Sequence, residues 1–269
     1  AGYTNLTLSA GTITAASDIT VTNALTNNAA ISLGGYDLSF GTYTGGGDSI
    51  SVTTGGTITA SGDGGTIATL SVDTDVTLAG GSGATGIVVT NQISNAITTS
   101  GTVSLNGTGI TTLNITGGTL TANGNITTSG ALGNDGTLAM GNNELNIGTT
   151  TTNTGSITLG TQDAAFTGLV TNTGGSITGG AGILTLSSGI SGGTLTASEN
   201  DSYCGGSFSP ASFIHNSGDL TLNGTTTSVT LAGATYNNLF LAKTAAATIN
   251  ASGTITVEGT LDVNADNTF

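Results

Sequence analysis

Apolar and polar residues alternate in short bursts along the whole chain. The strings "DITV" at Asp18, "ISL" at Ile31, "DLSF" at Asp37, "TLSV" at Thr69 and "TVSL" at Thr102 put Ile, Leu, Val or Phe on one side and Thr, Ser or Asp on the other. The same signature continues in "ELNI" at Glu144, "SITL" at Ser156, "ILTL" at Ile183, "DLTL" at Asp219, "TITV" at Thr254 and "TLDV" at Thr260. A period of two is the mark of a half-buried strand. Between the strings lie "GG", "NG", "GN" and "SG", which supply positive φ at sharp corners.

Strands of about 3–5 residues separated by corners of about 3–6 are too short and too numerous for a sandwich. They predict an all-β chain wound as a single right-handed parallel β-helix, each strand stacked about 4.8 Å above its counterpart one coil earlier. At about 20–30 residues per coil the chain holds about 10–11 coils and measures about 50 Å. Leu113, Ile115, Leu120 and Ile126 fall on the apolar phase and are expected to point inward. No linker interrupts the rhythm, so residues 1–269 are expected to form one domain.

The two ends resemble each other. Tyr3-Thr4-Asn5-Leu6-Thr7-Leu8 falls on Tyr236-Asn237-Asn238-Leu239-Phe240-Leu241, and Asp18-Ile19-Thr20-Val21 falls on Thr254-Ile255-Thr256-Val257. A solenoid has unpaired strand edges at its ends, and free edges recruit strands. Monomeric solenoids close them with atypical capping repeats, and no such cap is legible here. The expected assembly interface is therefore Tyr3, Leu6 and Leu8 of one molecule against Val257, Leu261 and Val263 of the next. Such a head-to-tail contact repeats into an open filament. A competing account is that the chain is a piece of a longer solenoid whose tandem repeats resemble one another.

Composition sharpens this picture. Of 269 residues only 6 % are charged, 46 are Gly and none is Trp. Fifteen acidic residues face the single base Lys243, for a net charge of −14. Phosphate neutralisation needs cations, so nucleic-acid binding is not expected; attraction to anionic membrane surfaces is excluded on the same ground. No apolar run approaches the roughly 18 residues of a membrane span. The chain starts at Ala1 and its only Met is Met140, which fits a mature secreted chain or part of a longer one.

One stretch departs from the rhythm. Ser198 to Leu220 holds the only Cys (Cys204), the only Pro (Pro210) and the only His (His215), with Tyr203, Phe208 and Phe213. A thiol and an imidazole close in sequence suggest a nucleophile, but no orienting third group or oxyanion signature accompanies them. The stretch is expected to be an inserted loop with Cys204 buried, and Tyr203, Phe208 and Phe213 are its candidate lateral contact residues. No other constellation supports catalysis. The pairs Asp73/Asp75 and Glu199/Asp201 supply too few oxygens for the six or more that Ca²⁺ takes, so no cofactor is expected and Ca²⁺ is the one ion considered. Glycine runs such as "GGSITGGAG" at Gly174 are corners, since no helix follows to bind phosphate. Asn-x-Ser/Thr triplets at Asn5, Asn106, Asn114, Asn125, Asn200, Asn223 and Asn250 are what a chain rich in Asn and Thr gives by chance. Recurrent Thr-x-Thr strings raise the question of ice binding, which needs them on one flat face at constant coil length. Their spacing in sequence drifts, so ice binding is not the expectation.

Ser207 to Val263 carries Phe213-Ile214-His215-Asn216 before "GDLTLNG", then Tyr236-Asn237-Asn238-Leu239 and "GTITVEGTLDV". This run resembles repeats of bacterial β-solenoid surface proteins of the filamentous-haemagglutinin-like and autotransporter-passenger-like kinds. The resemblance implies an extracellular, cell-surface protein that is adhesive or structural, and it carries over no catalytic residue. The expected function is thus a non-enzymatic, secreted structural subunit that assembles with itself end to end. The alternative is an adhesin passenger or stalk binding glycans or other surface proteins.

Overall fold

A computed structural model of the chain describes every residue except 46–47, 73–74, 81–85, 94–95, 101, 265–266 and 269. The alternating strings are parallel strands stacked as a β-solenoid of about 12 turns, with no helix among the described residues. Coils are shorter than expected: 19 residues separate Thr151 from its partner Val170, and 18 separate Leu184 from Ser202. Corners of as few as two residues, such as 187–188 and 205–206, account for the difference, so the expected 10–11 coils become about 12.

The chain forms two compact units, the first of Ala1–Gly130 with Gly136–Leu138, the second of Ala131–Asp135 with Ala139–Phe269. In the first, Thr12–Thr14, Ala30–Gly34 and Ser49–Val52 stack in turn, and the last pairs with the end of Thr57–Val72. Ile13, Ile31, Ile50 and Leu70 make one inward column, because every second side chain of a strand faces the same way. Leu113, Ile115, Leu120 and Ile126 are all buried, as expected. Strand length differs from expectation. Ile19–Asn27, Leu38–Gly45 and the 16-residue Thr57–Val72 run through a corner, with register slips between Val21 and Ala24 and between Phe40 and Thr42. A bulge bends a strand without ending it. Gly41 sits at this bend, where a Cβ would lie 2.5 Å from the Asn23 carbonyl oxygen.

The second unit has three clean faces. One stacks Leu145–Ile147, Ala164–Phe166, Leu184–Leu186, Asp201–Cys204, Asp219–Leu222, Asn238–Leu241 and Leu261–Val263. Its inward column runs Ile147, Phe166, Leu186, Cys204, Leu222, Leu241, Val263. A second face carries Thr151–Asn153, Val170–Asn172, Gly189–Ser191 and Ser207–Ser209, and a third carries Ser156–Thr158, Ser176–Thr178, Thr194–Thr196 and Ser212–Ile214. Buried Asn134, Asn153 and Asn172 stack at the corner between them. The amide of Asn134 donates to Asn153 Oδ1 at 2.6 Å, and that of Asn153 to Asn172 Oδ1 at 2.7 Å. The three amides also donate to the carbonyls of Ser156, Ser176 and Thr194, so that each buried amide nitrogen has a partner, while the Oδ1 of Asn134 has none.

Ser198 to Leu220 is not an inserted loop. Asp201–Cys204, Ser207–Ser209 and Ser212–Ile214 form one regular coil, each paired with the coil before it. Cys204 and Phe208 take ladder positions held by Leu186 and Ile190 one coil earlier. They are exceptional in type, but they obey the same period of two.

Candidate assembly surfaces

The strands at the two ends of the coil series are where the sequence places the assembly interface. At the first, Gly2–Tyr3 and Leu6–Leu8 lie against Ile19–Asn27, with Tyr3 opposite Val21, Leu6 opposite Leu25 and Leu8 opposite Asn27. Among the described residues neither strand pairs with another on its far side. Val21 and Leu25, which have a coil on each side, are each 1 % exposed, whereas Tyr3 is 43 % exposed and Leu6 and Leu8 are half-buried.

At the other end, Thr256–Val257 lies on Thr235–Tyr236, and Leu261–Val263 lies on Asn238–Leu241. Val257 is half-buried over the fully buried Tyr236. Leu261 and Val263 continue the columns of Leu239 and Leu241, yet are 48 % and 38 % exposed against 0 % and 1 %. A shallow depression of about 430 Å³ opens here, lined by Phe240, Leu241, Ala242, Asp262, Val263 and Asn264. Each end therefore offers apolar side chains in inward phase together with a row of strand N–H and C=O groups, the chemistry that recruits a further strand.

The three lateral candidates separate. Phe208 is fully buried and Phe213 half-buried. Phe213 meets Phe208 edge-on at 5.0 Å between ring centres and meets Tyr236 at 5.2 Å. These rings fill the interior, since their positions fall on the inward phase, and they are corrected from lateral contacts to core. Only Tyr203 faces outward, its hydroxyl donating to Asp201 Oδ2 at 3.2 Å.

The structure does not bring Cys204 and His215 together. The Cys204 thiol is fully buried, points at the carbonyls of Gly206 and Ser207, and is pushed up to about 12 by burial. A thiol held in that form is a poor nucleophile. His215 accepts from the Ser217 amide at Nδ1, and its Nε2 lies 3.5 Å from Glu258 Oε2. The Glu199 side chain is exposed, and Asp73 lies outside the described residues. Among the described residues no three of His, Cys, Asp and Glu are grouped to hold a metal ion.

Two arrangements escaped the sequence reading. The asparagine ladder was signalled by "LGN", "TTN" and "VTN" at a 19-residue period. Lys243 carried no such signal: it is 1 % exposed, and its ammonium donates to the carbonyl of Gly205 at 2.6 Å and to that of Asn223, 38 and 20 residues earlier.

Among the described residues no helix is long and apolar enough to cross a membrane. Comparison with protein-family models, with curated proteins and with solved structures found no match to this chain.

Proposed function

We propose that the chain is a non-enzymatic structural protein of the cell exterior, a β-solenoid subunit that stacks end to end through its terminal coils. The observation that carries the reading is the pair Leu261 and Val263, about half exposed in columns that bury every earlier member. Covering a Leu or Val side chain contributes about 1.5–3 kcal/mol, and each added strand also satisfies a row of backbone groups. Val257 and Leu261 of one molecule are then followed by Leu6 and Leu8 of the next. The acidic, nearly base-free composition and the solenoid form support a surface role, in line with the resemblance to bacterial surface repeats.

Sedimentation velocity over a concentration series tests this reading. Wild-type chain is expected to form species that lengthen with concentration, and Leu6→Asp and Leu261→Asp are each expected to abolish them. Both side chains are partly in solvent, so circular dichroism of each variant is expected to stay that of the folded chain. Loss of the long species in neither variant would remove the ends from the contact.

An adhesin role is the second reading. It is favoured by Tyr203 and Phe240, which stand in one outward column with Thr221 between them and offer two rings to a sugar. Glycan-array binding lost in Tyr203→Ala would support it.

A further inference from the structure

Two Ser-x-Thr strings and one of the Thr-x-Thr strings set aside in the sequence form, in the second unit, a registered two-dimensional array. Ser156 and Thr158 pair with Ser176 and Thr178, which pair in turn with Thr194 and Thr196. Twenty residues separate Ser156 from Ser176, and 18 separate Ser176 from Thr194. That drift argued against a regular face, but it is absorbed by corners, one residue between the other two faces (167–169 against 187–188) and one in the corner leading into this face (173–175 against 192–193). The strands of this face keep step without a slip.

We propose that this face binds ice, an activity beyond the assembly role and independent of it. The strands that carry its hydroxyls repeat at about 4.8 Å between coils, and alternate residues at about 6.6 Å along each strand; the Ser176 hydroxyl also donates to that of Ser156 at 3.3 Å. Tetrahedral hydrogen bonding at an O···O distance of about 2.75 Å gives ice repeats of about 4.5 Å and 7.3 Å. The mismatch between coils accumulates to only about 0.6 Å over the three rows, within the reach of side-chain rotation. Glycine pairs Gly174–Gly175, Gly179–Gly180 and Gly192–Gly193 flank the array directly, while exposed Gln162, Asp163 and Glu199 stand further out in the neighbouring corners. None of the outward residues is charged, which suits a neutral lattice that would strip an ion of its hydration. Threonine adds a methyl group, beside which water is already restrained. A crystalline polysaccharide fits less well, because sugar faces are gripped by flat aromatic rings and no aromatic residue faces outward among these six.

The test is the freezing behaviour of the full chain, followed by crystal shape and thermal hysteresis in a nanolitre osmometer. Wild-type chain is expected to facet ice crystals and hold a hysteresis gap. Thr178→Lys, an exposed change at the centre of the array, is expected to shrink the gap severalfold. Thr152→Lys, equally exposed on a neighbouring face, is expected to leave it unchanged. Circular dichroism checks that both variants fold. Unshaped ice with folded wild-type chain overturns the proposal, as does equal loss in both variants. Binding to microcrystalline cellulose or chitin with ice growth unaffected assigns the face to a polysaccharide and overturns it too.

Discussion

In the first unit the chain turns corners inside its strands, whereas in the second the strands stop and short corners turn. Thr57–Val72 keeps its strand pairing through Gly62, Gly64 and Gly65, where Gly64 turns at a φ of 79°, and its register slips against the strand before it. In the second unit, strands of mostly three to five residues alternate with corners, and their pairing is in register. Buried polar groups are bonded in different patterns in the two units, and each unit leaves a buried oxygen without a partner. In the first unit Asn27 donates to the Tyr43 hydroxyl at 2.9 Å, and that hydroxyl donates to buried Asp48, whose Oδ1 finds no partner. In the second unit the same residue type recurs each coil, so that Asn134 donates to Asn153 and Asn153 to Asn172, and within the ladder the Oδ1 of its first member, Asn134, finds no partner. An asparagine both donates and accepts, so one side chain repeated at the coil period propagates its own bonding. A mixed cluster closes after three members.

Four variants break or sharpen this comparison, from the largest effect to the smallest. A charge in either aliphatic stack is unpaired in a dry interior, so Leu120→Asp in the first unit and Ile177→Asp in the second are each expected to cost about 3–5 kcal/mol. Urea denaturation measures both, and an unchanged midpoint would refute the strand phase of that unit. Asn153→Ala removes the middle of the ladder, taking one of two acceptors from the Asn134 amide and the donor from the side-chain oxygen of Asn172. We expect a loss of about 2–3 kcal/mol in the same assay, on the basis of the cost of unpaired buried groups. Tyr43→Phe takes one donor from a cluster that already has an orphan oxygen, and about 1–2 kcal/mol is expected. A larger loss for Tyr43→Phe than for Asn153→Ala would reverse the contrast.

Alkaline pH probes buried acids of both units, since burial raises Tyr43 in the first as it does Cys204 in the second, and Cys204→Ala isolates the thiol. An unfolded Cys titrates near 8.5, while burial holds Cys204 up to about 12. The folded chain therefore retains a proton that the unfolded chain releases between these values, so the contribution of Cys204 is complete below about 8.5 and is lost progressively above it. Buried Tyr236, also raised by burial, acts in the same sense at higher pH. Cys204→Ala is expected to flatten the fall in denaturation midpoint between pH 9 and 11 measured for wild type. An unaltered slope would mean the thiol is not held protonated by the fold.

Much of this was legible in residue order. The alternation of Ile157, Ile177 and Leu195 with Ser and Thr set strand, face and burial together, because each depends only on neighbours two positions apart. Coil length was less legible, since a corner of two residues and one of five serve equally well between strands. Composition misled at Ser198 to Leu220. Cys204, Phe208 and Phe213 looked like a foreign insert, yet "DSYC" and "SFS" keep the alternation, and the interior accepts a thiol or a ring where an aliphatic side chain stood one coil earlier. The burial of Lys243 could not be seen at all. It depends on carbonyls 20 and 38 residues away, brought near only by two turns of winding. Of the candidate assembly residues, the inward phase was readable and the exposure was not, because exposure depends on whether another coil follows.

Electron cryomicroscopy of the purified chain at high concentration tests end-to-end stacking most directly. The account predicts filaments in which the strand Leu261–Val263 of one molecule lies against Leu6–Leu8 of the next and the aliphatic columns run through the junction. Dispersed monomers, or filaments joined through their side faces, would contradict it.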